Sequence, residues 1–373
     1  MAYPDGWGRK CKLTIDYTKT NGVTVTDLPV LLTVNNLPSE MFDADGSFPA
    51  LNGGGDIRFS SDALGTTRLP CEIVSFVTDN DPANGLAEIW VKIPSVSGTV
   101  DTDFYIWYNK AGESQPAASD TYGSQNVWDS NYVAVYHCSD ATTSTTLDST
   151  SYANNITKKA ANTPSEIAAK WSGSLGQDFD TDEYMYAADD PDLDGMTQLT
   201  IQTLCKANSL RAAGYNVLVN KWINGVTDAA YLGTFIWSQK WGFYLRGTSG
   251  YAGVLNIGSA TTGTWYWNTL TYQSGLGGLP DTRLLVNAGG YGPYTINKGP
   301  IDNCTDPMYI GNFRTNAGYN WDGIIDEVRI SKTIRNINKH VPEWNNMNSP
   351  STFLAVGTPE TPSTFGKQII MIS

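Results

Sequence analysis

Trp321-Asp322-Gly323-Ile324-Ile325-Asp326-Glu327-Val328-Arg329-Ile330 mixes branched apolar residues with charges in one short run, the pattern of a strand. Under strict alternation Asp326 and Glu327 send their carboxylates to opposite faces. The same texture extends outward through the chain. Thr, Val, Ile, Tyr and Trp recur in short segments broken by 36 Gly and 18 Pro, and Leu-rich helical stretches are scarce. Near the start, Lys12-Leu13-Thr14-Ile15-Asp16-Tyr17 and Leu86-Ala87-Glu88-Ile89-Trp90-Val91-Lys92-Ile93-Pro94 alternate apolar and polar residues as half-buried strands do. The composition argues for an all-β protein.

A chain of 373 residues suits two domains, each able to bury its own core. Asn109 to Asp120 has the composition of a linker, and a new apolar strand begins at Tyr132-Val133-Ala134-Val135-Tyr136-His137-Cys138. This places the boundary near residue 128, with a first domain over 1–128 and a second over 129–357. Thr358-Pro359-Glu360-Thr361-Pro362-Ser363 reads as an extended linker. The apolar peptide Gly366 to Ser373 that follows is either a strand folded back on its own sandwich or one added to the sheet edge of a neighbouring chain. The turn Leu51-Asn52-Gly53-Gly54-Gly55-Asp56 is a tight connection or a functional loop.

The order of motifs in the second half carries a family resemblance: Leu175-Gly176-Gln177-Asp178-Phe179-Asp180, Tyr184-Met185-Tyr186, Leu199-Thr200-Ile201-Gln202-Thr203, Gly263-Thr264-Trp265-Tyr266, Tyr309-Ile310-Gly311, and the closing run from Trp321 to Ile330. Together, from about Ser130 to Val356, these resemble the laminin-G-like, concanavalin-A-like family. The resemblance implies a jelly roll of two antiparallel sheets. The first half, over about residues 6 to 112, resembles a domain-of-unknown-function family often found before laminin-G-like domains, through its "W-G-R-K", "G-G-D-I-R-F-S", "L-P-C-E-I" and "A-E-I-W-V-K-I-P" segments. That family brings no activity. The expected architecture is two β-sandwiches, the second a concanavalin-A-like jelly roll.

Charge narrows the partners. With 37 acidic and 24 basic residues the net charge is −13, which repels a phosphate backbone and an anionic membrane surface. The N-terminus has no apolar core of signal-peptide length, and no stretch approaches the ~20 apolar residues of a membrane span. Cys11, Cys71, Cys138, Cys205 and Cys304 are far apart and without a C-x-x-C pair, so they are expected to be buried thiols. His137 and His340 are the only histidines, no G-x-S-x-G elbow accompanies them, and His137 is expected to be packed and hydrogen-bonded. The E-x-D-x-x-E pattern of retaining β-glucanases is missing. Its nearest substitute, Asp178-Phe179-Asp180-Thr181-Asp182, would line one strand face with three Asp, a set better suited to a cation or a solvated turn. The sequons at Asn155 and Asn303 read as chance.

Two binding chemistries remain. Hard cations take several oxygen ligands. Asp190-Pro191-Asp192-Leu193-Asp194-Gly195 copies the front of a calcium loop, but Ile201 stands where an EF-hand needs its closing acid. The resemblance implies a second set, Asp180, Asp182 and Asp326, if the strands bearing them are neighbours; Asp326 alternatively pairs with Arg329. A structural calcium ion is therefore an expectation. Sugar binders stack flat aromatic faces on pyranose rings, and the chain has twelve Trp and twenty Tyr. The candidates are Trp222, Trp237, Trp241, Tyr244, Tyr319 and Trp321, each against the competing reading of a core position.

The function expected is non-enzymatic: a virion structural protein, either a tail or fibre adhesin or a capsid decoration, that binds carbohydrate through its second domain. It would assemble in the host cytoplasm as a homo-oligomer with other virion proteins. The alternatives are a carbohydrate-active hydrolase and a bacterial surface adhesin exported by a non-classical route.

Overall fold

The computed structural model describes residues 3–140, 144–161, 163–212, 214–222, 229–313 and 318–362, the side chains of 229 and 232 excepted. The chain forms two compact units. One comprises the described residues up to Val127 together with those from Ser349 onward; the other runs from Trp128 to Asn348. Among the described residues no helix is long and apolar enough to cross a membrane.

The first unit opens with β1 (Arg9–Ile15), β2 (Val25–Thr33), β3 (Arg58–Ser60), β4 (Arg68–Leu69), β5 (Cys71–Val77), β6 (Leu86–Val96) and β7 (Thr102–Tyr108). Strands β1, β7, β3 and β4 pair in that order, and β2, β6 and β5 form a second sheet. The alternation seen in the sequence places Leu13, Ile15, Val30, Leu32, Ile89, Val91, Phe104 and Ile106 in one shared core. The glycine-rich turn after Leu51 is held by Asp56, whose carboxylate accepts from the Leu51 N–H at 2.8 Å. The stretch read as a linker after Asn109 is pinned to this unit instead: Ser114 O accepts from Arg58 and Gln115 Nε2 donates to Gly54 O.

The second unit begins with β8 (Tyr132–Tyr136), β9 (Thr145–Thr146), β10 (Ile156–Lys158), β11 (Ser165–Ala168), β12 (Leu175–Phe179), β13 (Met185–Ala187), β14 (Gln198–Ala207), β15 (Tyr215–Val217) and β16 (Val219–Trp222). It continues with β17 (Ala229–Trp237), β18 (Lys240–Gly247), β19 (Gly250–Ser259), β20 (Trp265–Gln273), β21 (Thr282–Val286), β22 (Gly289–Tyr294), β23 (Met308–Ile310), β24 (Gly323–Ser331) and the helix α1 (His340–Asn348). A nine-stranded sheet runs β19-β18-β17-β16-β23-β13-β10-β9 with β15 beside β17, and an eight-stranded sheet runs β11-β12-β24-β14-β20-β21-β22 with β8 beside β24. Between them lies a single core, fed by Met185, Val219, Tyr231, Ile236, Trp241, Phe243 and Ile310 from one sheet and Leu199, Ile201, Leu270, Tyr272, Ile325, Val328 and Ile330 from the other. Each such side chain contributes roughly 1.5–3 kcal/mol on burial, so this layer dominates the stability of the unit.

The structure corrects two expectations. Opposite Leu204, strand β24 places two residues, Asp326 and Glu327, where its partner has one. This bulge lets Ile325 and Val328 both face the core, so strict alternation fails at the acidic pair. The second correction concerns the end of the second domain, read at residue 357. The chain leaves that unit after Asn348 and returns to the first through α2 (Pro350–Phe353) and β25 (Leu354–Val356). Leu354 pairs with Ile15 and Val356 with Leu13, and Glu360 exchanges both backbone hydrogen bonds with Lys10. Residues 358–362 are thus docked along β1 rather than extended as a linker. The apolar peptide Gly366 to Ser373 lies outside the described residues. All five cysteines are free and buried.

Candidate functional site

The outward face of the nine-stranded sheet is aromatic, for a reason that can be traced strand by strand. Outward positions alternate with the core residues: Tyr186 lies between Met185 and Ala187, Tyr309 between Met308 and Ile310, and Tyr244 between Phe243 and Leu245. Leu218 and Val219 both face the core, which shifts the phase between β15 and β16. A matching irregularity at Gly233 in β17 turns Phe235 and Trp237 outward. The register then builds a row across seven strands, Thr157–Tyr186–Tyr309–Asn220–Leu232–Tyr244–Gly253.

Glycines let the rings lie over neighbouring strands. A Cβ at Gly242 would stand 2.8 Å from the Phe235 ring, and one at Gly253 would stand 2.2 Å from the Tyr244 ring. Phe235 and Tyr244 stack with centroids 5.6 Å apart and planes 18° apart. Tyr215 meets Trp237 at 4.6 Å and Tyr319 at 5.3 Å, and Trp222 meets Tyr244 at 6.4 Å and Tyr251 at 6.2 Å. Phe313 stands edge-on to Tyr319. Trp222, Trp237, Tyr244 and Tyr319 are half-buried, and Tyr251 is 51% exposed. The face is therefore apolar, ring-rich and open to solvent along its rim, where hydroxyls are also supplied: burial, together with the Tyr244 and Tyr319 hydroxyls, pushes Tyr215 up to about 12.

Four of the six sugar-stacking candidates, Trp222, Trp237, Tyr244 and Tyr319, come together here. Trp241 and Trp321 do not. Both lie in the core, 1% and 0% exposed, because the parity that turns Tyr244 outward turns Trp241 inward, and Trp321 packs with the inward residues of β24. Neither ring offers a face to a ligand. Tyr215, Phe235, Tyr251 and Phe313 join the face without having been singled out; their signal is their outward register, which needs the pairing partners to be known.

The acidic candidates are dispersed. Strand β12 ends at Phe179, Asp180 accepts from the Thr181 N–H in the following turn, and Asp182 has φ 66°, so Asp178, Asp180 and Asp182 share no strand face. Asp182 pairs with Lys159 at 2.5 Å, and the buried Asp326 accepts from Ser174 Oγ at 2.9 Å. Among the described residues the carboxylates of Asp180, Asp182 and Asp326 do not gather within 4.8 Å of one another. In the second acidic loop the positive charge comes from the chain itself. The buried Lys221 Nζ reaches Asp189 Oδ1 at 2.5 Å, Asp194 Oδ2 at 3.1 Å, Cys304 O at 2.6 Å and Asp306 O at 2.7 Å.

The outward face of the eight-stranded sheet is closed. Arg329 Nε donates to Glu327 at 2.9 Å, and its guanidinium lies over the Trp128 and Trp267 rings at 4.7 and 5.2 Å. His137, buried as expected, meets Glu327 through Nδ1. Burial raises the Glu327 carboxyl, but His137 and Arg329 more than reverse this and hold it below the ordinary value. Helix α1 covers the face: Glu343 accepts from Gln202 at 2.9 Å and lies 3.9 Å from Arg329, and His340 bonds Thr269 Oγ1 at 2.9 Å.

Comparison with known proteins agrees with this architecture over part of the chain. Residues 179–337 match the family model Laminin_G_3, described as the concanavalin A-like lectin/glucanases superfamily. No curated protein sequence matches the chain. Among solved structures, the binding domain of Paraclostridial Mosquitocidal Protein 1 is similar with a TM-score of 0.46 and 13% identity, over 58% of this chain and 52% of that one. The Botulinum neurotoxin serotype G binding domain gives 0.45 and 10%, over 59% and 52%. A Trypanosoma rangeli sialidase, in complex with 2,3-difluorosialic acid, gives 0.44 and 14%, over 65% and 35%. The chain spans about half of each toxin domain and about a third of the sialidase. Over residues 179–337 the second unit is thus similar to laminin-G-like domains of the concanavalin A-like lectin/glucanases superfamily.

Proposed function

We propose that the second unit binds carbohydrate, without cleaving it, through the aromatic outward face of its nine-stranded sheet. The observation that carries this reading is the gathering of Trp222, Trp237, Tyr244 and Tyr319 with Tyr215 and Tyr251 on one face that, among the described residues, no helix of the same unit covers. Flat rings present apolar area to the C–H faces of a pyranose, and rim hydroxyls and amides hold its hydroxyl groups. At the level of the whole chain, the reading extends to a virion adhesin or capsid-surface decoration in which the first unit mounts the second and copies assemble as a homo-oligomer. The separate core of each unit supports that division of labour.

The test is a glycan-array screen of the purified chain, with and without calcium, alongside an assay for released reducing ends. Retention that is lost in Trp222→Ala and Tyr244→Ala, with no release of reducing ends, is the expected result. Cleavage that disappears in Asp178→Asn or Asp180→Asn would overturn it in favour of a hydrolase. Detection of the chain in purified phage particles by mass spectrometry tests the virion assignment.

A further inference from the structure

The aromatic row contains one polar interruption, Asn220, which stands in register between Tyr309 and Leu232. Its Nδ2 donates to the backbone oxygen of Asn312 at 2.5 Å, which joins β16 to the residue before Phe313. Both asparagines are fully buried. Among the described residues, Asn220 Oδ1 and both amide atoms of Asn312 have no hydrogen-bond partner. A fold that buries three polar atoms unpaired bears their full desolvation cost, and replacing a side-chain amide that has no partner with an apolar group of similar shape is ordinarily neutral or stabilising.

We infer that Asn220 and Asn312 form the polar floor of the aromatic face and select a neutral, hydroxyl-rich sugar over an anionic one; this rests on the carbohydrate reading above. The argument is one of donor and acceptor balance. The floor offers two amide oxygens, which need donors, and one amide NH2, which needs acceptors. A pair of sugar hydroxyls supplies both. An ionised carboxylate accepts only, so it satisfies the NH2 group and leaves both oxygens opposed to its charge. The cation next along β16 does not compensate, because Lys221 is held by Asp189 and Asp194. The net charge of −13 further disfavours an anion. Because both asparagines are buried, a sugar hydroxyl reaches this floor only where half-buried neighbours such as Phe313 give way.

The experiment compares the whole chain with Asn220→Leu, Asn312→Leu and Trp222→Ala on immobilised neutral polysaccharides (β-glucan, xylan, galactan) and on sialylated and uronate-containing ones, with thermal unfolding of each variant. The expected result is retention of neutral glycans by the wild type. Retention should drop tenfold or more in each asparagine variant, with the melting temperature unchanged or higher in Asn312→Leu, whose side chain has no partner among the described residues, and lower in Asn220→Leu, which leaves the buried Asn312 oxygen without its donor. Competition of the wild type by neutral against acidic trisaccharides gives the same discrimination without any variant. Full binding by both asparagine variants, with loss in Trp222→Ala, would overturn the floor and leave the carbohydrate reading standing. So would a preference of the wild type for acidic glycans. If the wild type retains no glycan, the carbohydrate reading falls and the floor with it.

Discussion

The two outward faces of the second unit start from the same geometry and end differently. Across the eight-stranded sheet the register aligns Val135–Arg329–Gln202–Thr269–Leu285, and across the nine-stranded sheet it aligns Tyr186–Tyr309–Asn220–Leu232–Tyr244. The first row is polar and buried: Arg329, Gln202 and Thr269 are each met by a side chain of α1. The second row is largely aromatic and left half open. Polar residues lie under the helix, where each has a partner, whereas the rings of the other face pack on one another and stay partly exposed. Exposed apolar area of this kind is what the carbohydrate reading proposed above draws on.

If the first face is a matched ionic layer, Arg329→Ala leaves Glu327 buried without its guanidinium and lowers stability by about 3–5 kcal/mol. A shift in the urea midpoint worth less than 1 kcal/mol would mean the layer is not closed. The same face should give the unit its acid sensitivity. Burial lowers His340 from 6.5 to about 4. Between those values the unfolded chain binds a proton that the folded chain refuses, so stability falls as pH drops, by about 3 kcal/mol in all. Glu343, raised by burial, acts in the opposite sense, so the contribution of His340 is read from the difference between wild type and His340→Gln. That variant should show a flatter loss of melting temperature from pH 6.5 to 4; equal slopes would remove His340 from the account.

The open face should respond the other way round. Trp222→Ala is expected to lower glycan retention roughly tenfold, a loss of about 1.4 kcal/mol in binding, while costing folding about 1 kcal/mol. A larger cost to folding than to binding would return Trp222 to the core. Tyr251→Ser, at the rim, should change stability by no more than about 0.5 kcal/mol and weaken binding less than Trp222→Ala, as measured by calorimetric melting and array titration.

The sequence made the all-β class readable because the period-2 pattern is local. Much of the site was not, because parity is not local. Within Lys240-Trp241-Gly242-Phe243-Tyr244-Leu245 an aromatic residue occupies each parity, and only the partners on β17 and β19 decide that Trp241 goes inward and Tyr244 outward. The pair Asp326-Glu327 looked alternating until Leu204 was seen to face both. The return of Leu354–Val356 to β1 joins residues more than three hundred positions apart, and no short-range pattern carries that information. The half-buried aromatic cluster was legible as a richness in Trp and Tyr, but its membership depended on these long-range registers.

Lys221 adds a last consequence. Its ammonium binds four oxygens from two separate segments of the chain, the role a dissolved cation would otherwise fill. Because the charge is tethered, it arrives with the backbone at a fixed local concentration, whatever ions surround the protein. The loops that close here therefore draw on a charge the chain carries itself, and the strand that ends in Trp222 is anchored by it.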